Sequence, residues 1–195
     1  MQITPYLPEI LGPVFIPGYL ALNIDTDIQL TSAETLGEGG TASILKGALR
    51  KPELIAKHGS IPLAVKILRQ NPSNSMDGSK SGSSQSEDPE LKNSFLYEVA
   101  IMASLPANIP YLIKFIGFSE NPMVIVMKYY PFSLKNLMTL EGFETSPILS
   151  NKIAHDIAAG MFHLHSNGIL HLDLKPRKSE IGNIISVFLL FKFRF

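Results

Sequence analysis

The order of apolar patterns predicts an α+β fold with a small β-rich lobe followed by a helical one. Three observations carry that expectation. Between residues 28 and 68 the chain runs in short apolar stretches broken by the turn Gly37-Glu38-Gly39-Gly40. A helical pattern over 95–105 is followed by two more strand-like runs, at 111–118 and 123–127. From residue 134 onward the spacing is helical until Gly168.

Each element has its own signal. Pro5, Pro8, Pro13 and Pro17 among scattered apolar residues predict an irregular arm over 1–27. Leu36 before the glycines and Ile44-Leu45 after them predict a hairpin, and 61–68 is a further strand, apolar apart from Lys66. Residues 71–90 contain seven serines and only Met76 as a sizeable apolar side chain. Such a segment cannot bury enough surface to offset its ordering entropy, so a flexible insert is expected there. Phe95, Val99, Met102 and Leu105 fall on one face of the helix that follows. Pro131 ends the last strand, and 134–138 suits a short helix. Ser146-Pro147 supplies a cap and a first-turn proline for a long amphipathic helix. Its apolar face is Leu149, Ile153, Ile157, Met161 and Leu164, with Gly168 as the stop.

Composition excludes several classes. In 195 residues, 17 Lys plus Arg balance 17 Asp plus Glu, so there is no broad basic footprint for nucleic acid. The absence of cysteine removes disulfides, thiolate metal sites and a cysteine nucleophile. No basic, then apolar, leader opens the chain, and the longest apolar run, 184–191, is too short for a bilayer-spanning helix. An intracellular, cytoplasmic protein without a membrane span is the expectation.

A few polar residues sit where polarity is costly. Lys66 lies between Val65 and Ile67, in line with Ala64 and Leu68 on one strand face. Its stem can snorkel to solvent, or its ammonium is partly buried and requires an anionic partner. Glu98 is three residues after Phe95 and four before Met102, on the apolar stripe of its helix. Two misplaced charges of opposite sign suggest a pair. The glycines at 37–40 can serve only to allow positive φ, or can let backbone N–H groups approach phosphate oxygens. No Gly-Lys-Ser/Thr follows them, which disfavours a P-loop, and the strand-like continuation disfavours a dinucleotide fold. His163 and His165, two apart on a helix, point away from each other, so His163, His165 and His171 do not make a metal site. Asp173, after Gly168, can be a turn residue, but Lys175 beside it can neutralise charge.

Together these motifs resemble the eukaryotic protein kinase family. Leu36-Gly37-Glu38-Gly39-Gly40-Thr41-Ala42-Ser43-Ile44 is similar to the glycine-rich loop, and Leu63-Ala64-Val65-Lys66 to the third-strand lysine motif with Glu98 as its helix partner. Residues 123–130 resemble the fifth strand and hinge, with Met127 at the gatekeeper position. His171-Leu172-Asp173-Leu174-Lys175-Pro176 resembles the catalytic loop. The resemblance covers about residues 28–176. It implies a kinase-like two-lobed fold with an N-lobe over 28–130 that includes the 71–90 insert, a partial C-lobe over 131–176 and an atypical tail over 177–195.

It also implies phosphoryl transfer from ATP, with Mg²⁺, to a protein hydroxyl. Lys66, oriented by Glu98, would hold the α- and β-phosphates, and Asp173 would accept the substrate proton. Backbone groups of Lys128 and Tyr130 would meet adenine, with Leu36, Ile44 and Ala64 over its ring and Gly37 and Gly39 over the phosphates. Lys175 leans towards serine and threonine substrates, whereas the long apolar helix and the run into His171 look tyrosine-kinase-like or receptor-interacting-like. The particular protein substrate and the oligomeric state are not legible.

The sequence departs from the family at Leu172, where an arginine is usual, and at Lys178, where the metal-binding asparagine is expected. Asn183 would take that metal role if 177–181 is an insertion. No Asp-Phe-Gly or Ala-Pro-Glu follows. The chain therefore reads as a shortened kinase, weak or inactive, whose long helix exposes an apolar patch. The alternatives are a non-catalytic kinase-like module that binds nucleotide or a partner, and a fragment without a stable fold.

Overall fold

Five antiparallel strands make the larger sheet: β1 (Ile28–Glu38), β2 (Ala42–Leu49), β3 (Leu63–Leu68), β4 (Phe115–Ser119) and β5 (Val124–Lys128), in the order β1-β2-β3-β5-β4. The computed structural model describes residues 16–38, 42–69, 88–106, 109–176, 179–181 and 185–187. The expected hairpin is β1–β2, with Gly37 opposite Ile44 and Glu38 opposite Ser43. Its tip, with Gly39, lies outside the described residues, as do residues 71–87 of the expected insert.

The sheet is covered on both faces, which explains why β3 and β5 are near-continuous apolar runs rather than alternating ones. Leu63, Val65, Val124 and Val126 pack into one core with Ile28, Leu49 and Ile116. Helix α1 (Ile24–Asp27) and helix α2 (Pro52–His58) lie over that core through Ile24, Leu54 and Ile55. Ala64, Ile125 and Met127 point the other way, into a core built on Phe95, Val99 and Met102 of helix α3 (Pro89–Ser104). Phe95 meets Phe118 of β4 with ring centroids 6.3 Å apart. Helix α2 carries no strong stripe and was not foreseen.

Helix α3 begins at Pro89, earlier than the expected 95 and inside the expected insert. Asp88 is the reason: its carboxylate accepts from the backbone N–H groups of Glu90 (3.0 Å) and Leu91 (3.4 Å), and Pro89 occupies the first turn. The strand expected over 111–118 is shortened to Phe115–Ser119, because Leu112 belongs to a turn in which its N–H donates to the Ile109 carbonyl (3.3 Å). Leu112 and Ile113 are apolar because that turn is buried.

Ahead of the sheet, residues 16–22 run along β4. Leu22 N–H donates to the Phe118 carbonyl (2.7 Å), and Ala21 pairs with Phe118 in a parallel bridge. A Cβ on Gly117 would lie 2.5 Å from the Leu20 carbonyl oxygen, so glycine is what permits this crossing.

The helical half contains α4 (Leu134–Met138) and α5 (Pro147–Ser166), at the expected places. Ser133 and Asn136 form a reciprocal capping box on α4. Ser146 Oγ accepts from Leu149 N–H (3.2 Å) to cap α5. At the far end Gly168 takes φ 71°, with Ile169 N–H bonded to the Leu164 carbonyl and Gly168 N–H to the His165 carbonyl, a Schellman motif. Of the predicted apolar face, Leu164 is buried and Leu149, Ile153, Ile157 and Met161 are half-buried, while Ile148 and Phe162 are exposed. The expected tail contributes two strands, β7 (Ser179–Ile181) and β8 (Ile185–Val187). They join β6 (Phe132–Ser133) in a second sheet ordered β6-β7-β8, and α5 lies beside β8. Asn183 lies outside the described residues; β7 occupies three of the five positions that an insertion over 177–181 would comprise.

Candidate active site

Strand register assembles one side of the site. Ile44 on β2 and Ile125 on β5 both lie opposite Lys66 of β3, and Met127 lies opposite Ala64. Directly paired residues project to the same side of a sheet. Ile44, Ala64, Lys66, Ile125 and Met127 therefore share one face, the one covered by α3.

The Lys66 ammonium meets both carboxylate oxygens of Glu98 at 2.7 Å. Both side chains are buried among the Phe95–Met102 core residues. Taking two charges out of water is costly, and only close, doubly bonded geometry offsets that cost. Of the two sequence readings of Lys66, the buried pair holds and the snorkelling lysine does not.

Gly37 sits opposite Ile44 at the start of the hairpin tip. Among the described residues positive φ occurs only at Gly59, Gly142 and Gly168, so Gly37 is not a conformational requirement. Nor is it crowded: a Cβ there would find only Ile44 Cδ1, at 4.0 Å. Leu36, next to it, is a largely exposed apolar residue. At the other edge, Lys128 N–H donates to the Lys114 carbonyl and Tyr129 N–H to the Pro62 carbonyl, each at 2.9 Å. These bonds fix the segment leading to Tyr130. The Lys128 ammonium lies over the Tyr130 ring (4.9 Å), and Lys46 of β2 over the Tyr129 ring (5.1 Å).

The second cluster follows the Schellman stop of α5. His171 is buried, and its Nδ1 accepts from the backbone N–H of Asp173 (3.3 Å). Leu170 and Leu172, either side of it, are exposed. This inverted burial turns the loop so that Asp173 is half-buried and meets Lys175 Nζ at 2.7 Å. Sequence reasoning placed His171 in a motif without a task; the Leu-His-Leu alternation was the available signal for an inward histidine. Among the described residues no three His, Cys, Asp or Glu side chains converge as a metal site. No helix of the described residues is long and apolar enough to cross a membrane.

The candidate residues are thus brought together as a sheet face with a buried Lys–Glu pair, and as a loop with an Asp–Lys pair. A family model described as protein tyrosine and serine/threonine kinase matches residues 30–181, spanning both clusters. The chain belongs to the protein kinase family. Among its relatives, a probable serine/threonine-protein kinase of Dictyostelium discoideum is 30% identical over 181 residues, 88% of this chain and 11% of that protein. Integrin-linked protein kinase 1 of Arabidopsis thaliana is 31% identical over 139 residues, 69% of this chain and 25% of the relative. A dual specificity protein kinase of Dictyostelium discoideum is 30% identical over 156 residues, 77% of this chain and 20% of the relative. The chain spans a quarter or less of the length of each.

Proposed function

We propose that this kinase domain binds ATP on the Ile44–Ala64–Met127 face and transfers its γ-phosphoryl group to a serine or threonine hydroxyl of a protein. The bidentate Lys66–Glu98 pair carries the reading. A lysine held by a buried glutamate presents a fixed positive charge that suits the α- and β-phosphates. Gly37, neither strained nor crowded, supports close approach of a phosphate to the hairpin backbone. Because the Lys128 N–H is committed to Lys114, adenine would be met at Lys128 by the carbonyl, and at Tyr130 by the backbone beyond it.

In the transfer, the substrate hydroxyl oxygen forms a bond to the γ-phosphorus while the bond to the β-bridging oxygen breaks. Asp173 accepts the hydroxyl proton, ADP leaves, and Lys175 offsets negative charge at the transferred group. Mg²⁺, when bound with the nucleotide, would neutralise phosphate charge. Asn183 is its candidate ligand only if 177–181 is an insertion, and among the described residues no three His, Cys, Asp or Glu side chains converge as a metal site. With Lys178 where the metal-binding asparagine is expected, transfer by this chain is expected to be weak or undetectable. The same substitution, with Leu172 in place of the usual arginine, favours the second reading, a nucleotide-binding module without turnover.

Thermal stability with ATP, with and without Mg²⁺, tests both. A magnesium-dependent rise in Tm, with ³²P transfer to a generic protein substrate abolished by Lys66→Met and Asp173→Asn, supports the enzyme. A magnesium-independent rise without transfer supports the binding module. No shift in either condition overturns both.

A further inference from the structure

The side of the β1–β5 sheet away from the Lys66–Glu98 pair gathers three lysines at one end. Lys128 of β5 lies opposite Leu63, whose side chain belongs to the core beneath α2, and directly paired residues share a face. Lys114, just before β4, donates from its ammonium to the carbonyl of His58, the last residue of α2 (3.4 Å). Its own carbonyl accepts the Lys128 N–H (2.9 Å). Lys57 precedes His58, and burial, then the charges of Lys57 and Lys114, lower the basicity of the His58 ring. Lys57, Lys114 and Lys128 thus make one strip over the end of α2 and the two strands beside it.

Among the described residues none of the three is in an ion pair, whereas Lys51, Lys66, Lys152 and Lys175 each meet a carboxylate. Glu53 sits one helical turn before Lys57 on α2 and still leaves it unmatched. Lys57 and Lys128 lie instead over the rings of Tyr19 and Tyr130, each at 4.9 Å. A ring or a carbonyl steadies an ammonium without neutralising it. The strip is therefore a set of cations already held in place, which lowers the ordering cost of meeting an anion. Lys57 is exposed, and Lys114 and Lys128 are half-buried, so all three remain accessible.

Size and charge decide what fits. Neighbouring strands lie about 4.8 Å apart, and alternate side chains of an extended peptide project to one side about 7 Å apart, a comparable spacing. Three cations fall short of the roughly four to eight that mark an anionic lipid surface. The balance of 17 basic and 17 acidic residues leaves no wide footprint for nucleic acid.

We propose that Lys57, Lys114 and Lys128 bind an acidic segment of a partner protein, laid in extended form across the end of α2, β4 and β5 with its carboxylates on the three ammonium groups. This surface is on the other side of the sheet from the nucleotide reading and does not depend on it.

The test uses the whole 195-residue chain. A fluorescent Glu-Ser repeat of about eight residues and its Gln-Ser counterpart are titrated by anisotropy, and phosphatidylcholine vesicles with about 30% phosphatidylserine by co-sedimentation. At low salt the Glu-Ser peptide is expected to bind saturably and about tenfold more tightly than the Gln-Ser one, an advantage lost by about 0.5 M sodium chloride. Lys57→Gln and Lys128→Gln should each weaken it about threefold, the scale of one exposed ion pair. Lys135→Gln, exposed on α4, should leave it unchanged. Equal binding of the two peptides, an equal loss on Lys135→Gln, or binding of the vesicles without binding of the Glu-Ser peptide would overturn the proposal. The peptide comparison on the unmutated chain decides the matter even if a variant fails to fold.

Discussion

Lys66 and Glu98, 32 positions apart, each placed a charge on an otherwise apolar stripe, and that cost made their pairing readable before any coordinates. Replacing Glu98 with leucine leaves a buried ammonium alone and is expected to cost about 3 kcal/mol in urea unfolding. Adding Lys66→Met to that variant should recover most of the loss, since no charge then remains to be desolvated. A double variant as unstable as the single one would mean the pair is not what holds α3 to β3. A residue the sequence did not flag is Asp27, buried beside Lys51 (2.6 Å), Thr26 Oγ1 (2.7 Å) and the Asn23 N–H (3.0 Å). Burial alone would raise its pKa, but the hydrogen bonds from Lys51, Thr26 and Asn23 and the Lys51 charge together hold the carboxyl below its ordinary 3.8. The folded state thus binds the proton less readily than the unfolded one. The stabilisation is complete above the ordinary value and fades as pH falls through it towards the lower folded value. In acid unfolding, Asp27→Asn should flatten the stability slope below about pH 4; an unchanged slope would count against this account. Asp27 escaped notice because its partners come from a turn and a helix start, which leave no periodic trace.

At the scale of elements, punctuation proved more legible than length. Ser146-Pro147 marked one helix start and Gly168 its stop, because capping depends on a few side chains close in sequence. Asp88-Pro89 carried the same signal at the head of α3 but was submerged in the serine-rich stretch before it. Helix α2 had no legible stripe, since only Leu54 and Ile55 reach the core. The arm's crossing of β4 was not legible either, as close approach at Gly117 depends on residues nearly a hundred positions away. Gly117→Val is expected to displace the arm, seen as loss of amide protection at Leu22, whose N–H bonds Phe118, with a cost of about 2 kcal/mol. Full protection at Leu22 in that variant would show the crossing tolerates a side chain.

For the molecule as a whole, the two cores on either side of the β1–β5 sheet contrast with a much smaller third cluster. There Leu164 of α5 meets Leu112 from the turn after α3, with Ile157, Met161 and Ile169 around them. Hydrogen exchange is accordingly expected to be slowest at Val65, Val124 and Val126 and faster throughout α5. Equal protection in both halves would contradict that ordering. The kinase motifs were readable because each is local, whereas the division of stability arises from contacts no single motif encodes.

One consequence concerns how this molecule would come apart. A strand layer shielded on its front and its back does not need the helices of the second half to stay dry. Among the described residues, a protease working under mild conditions should cut within 134–170 before it cuts the strand layer. The surviving piece should keep the lysine and its glutamate paired.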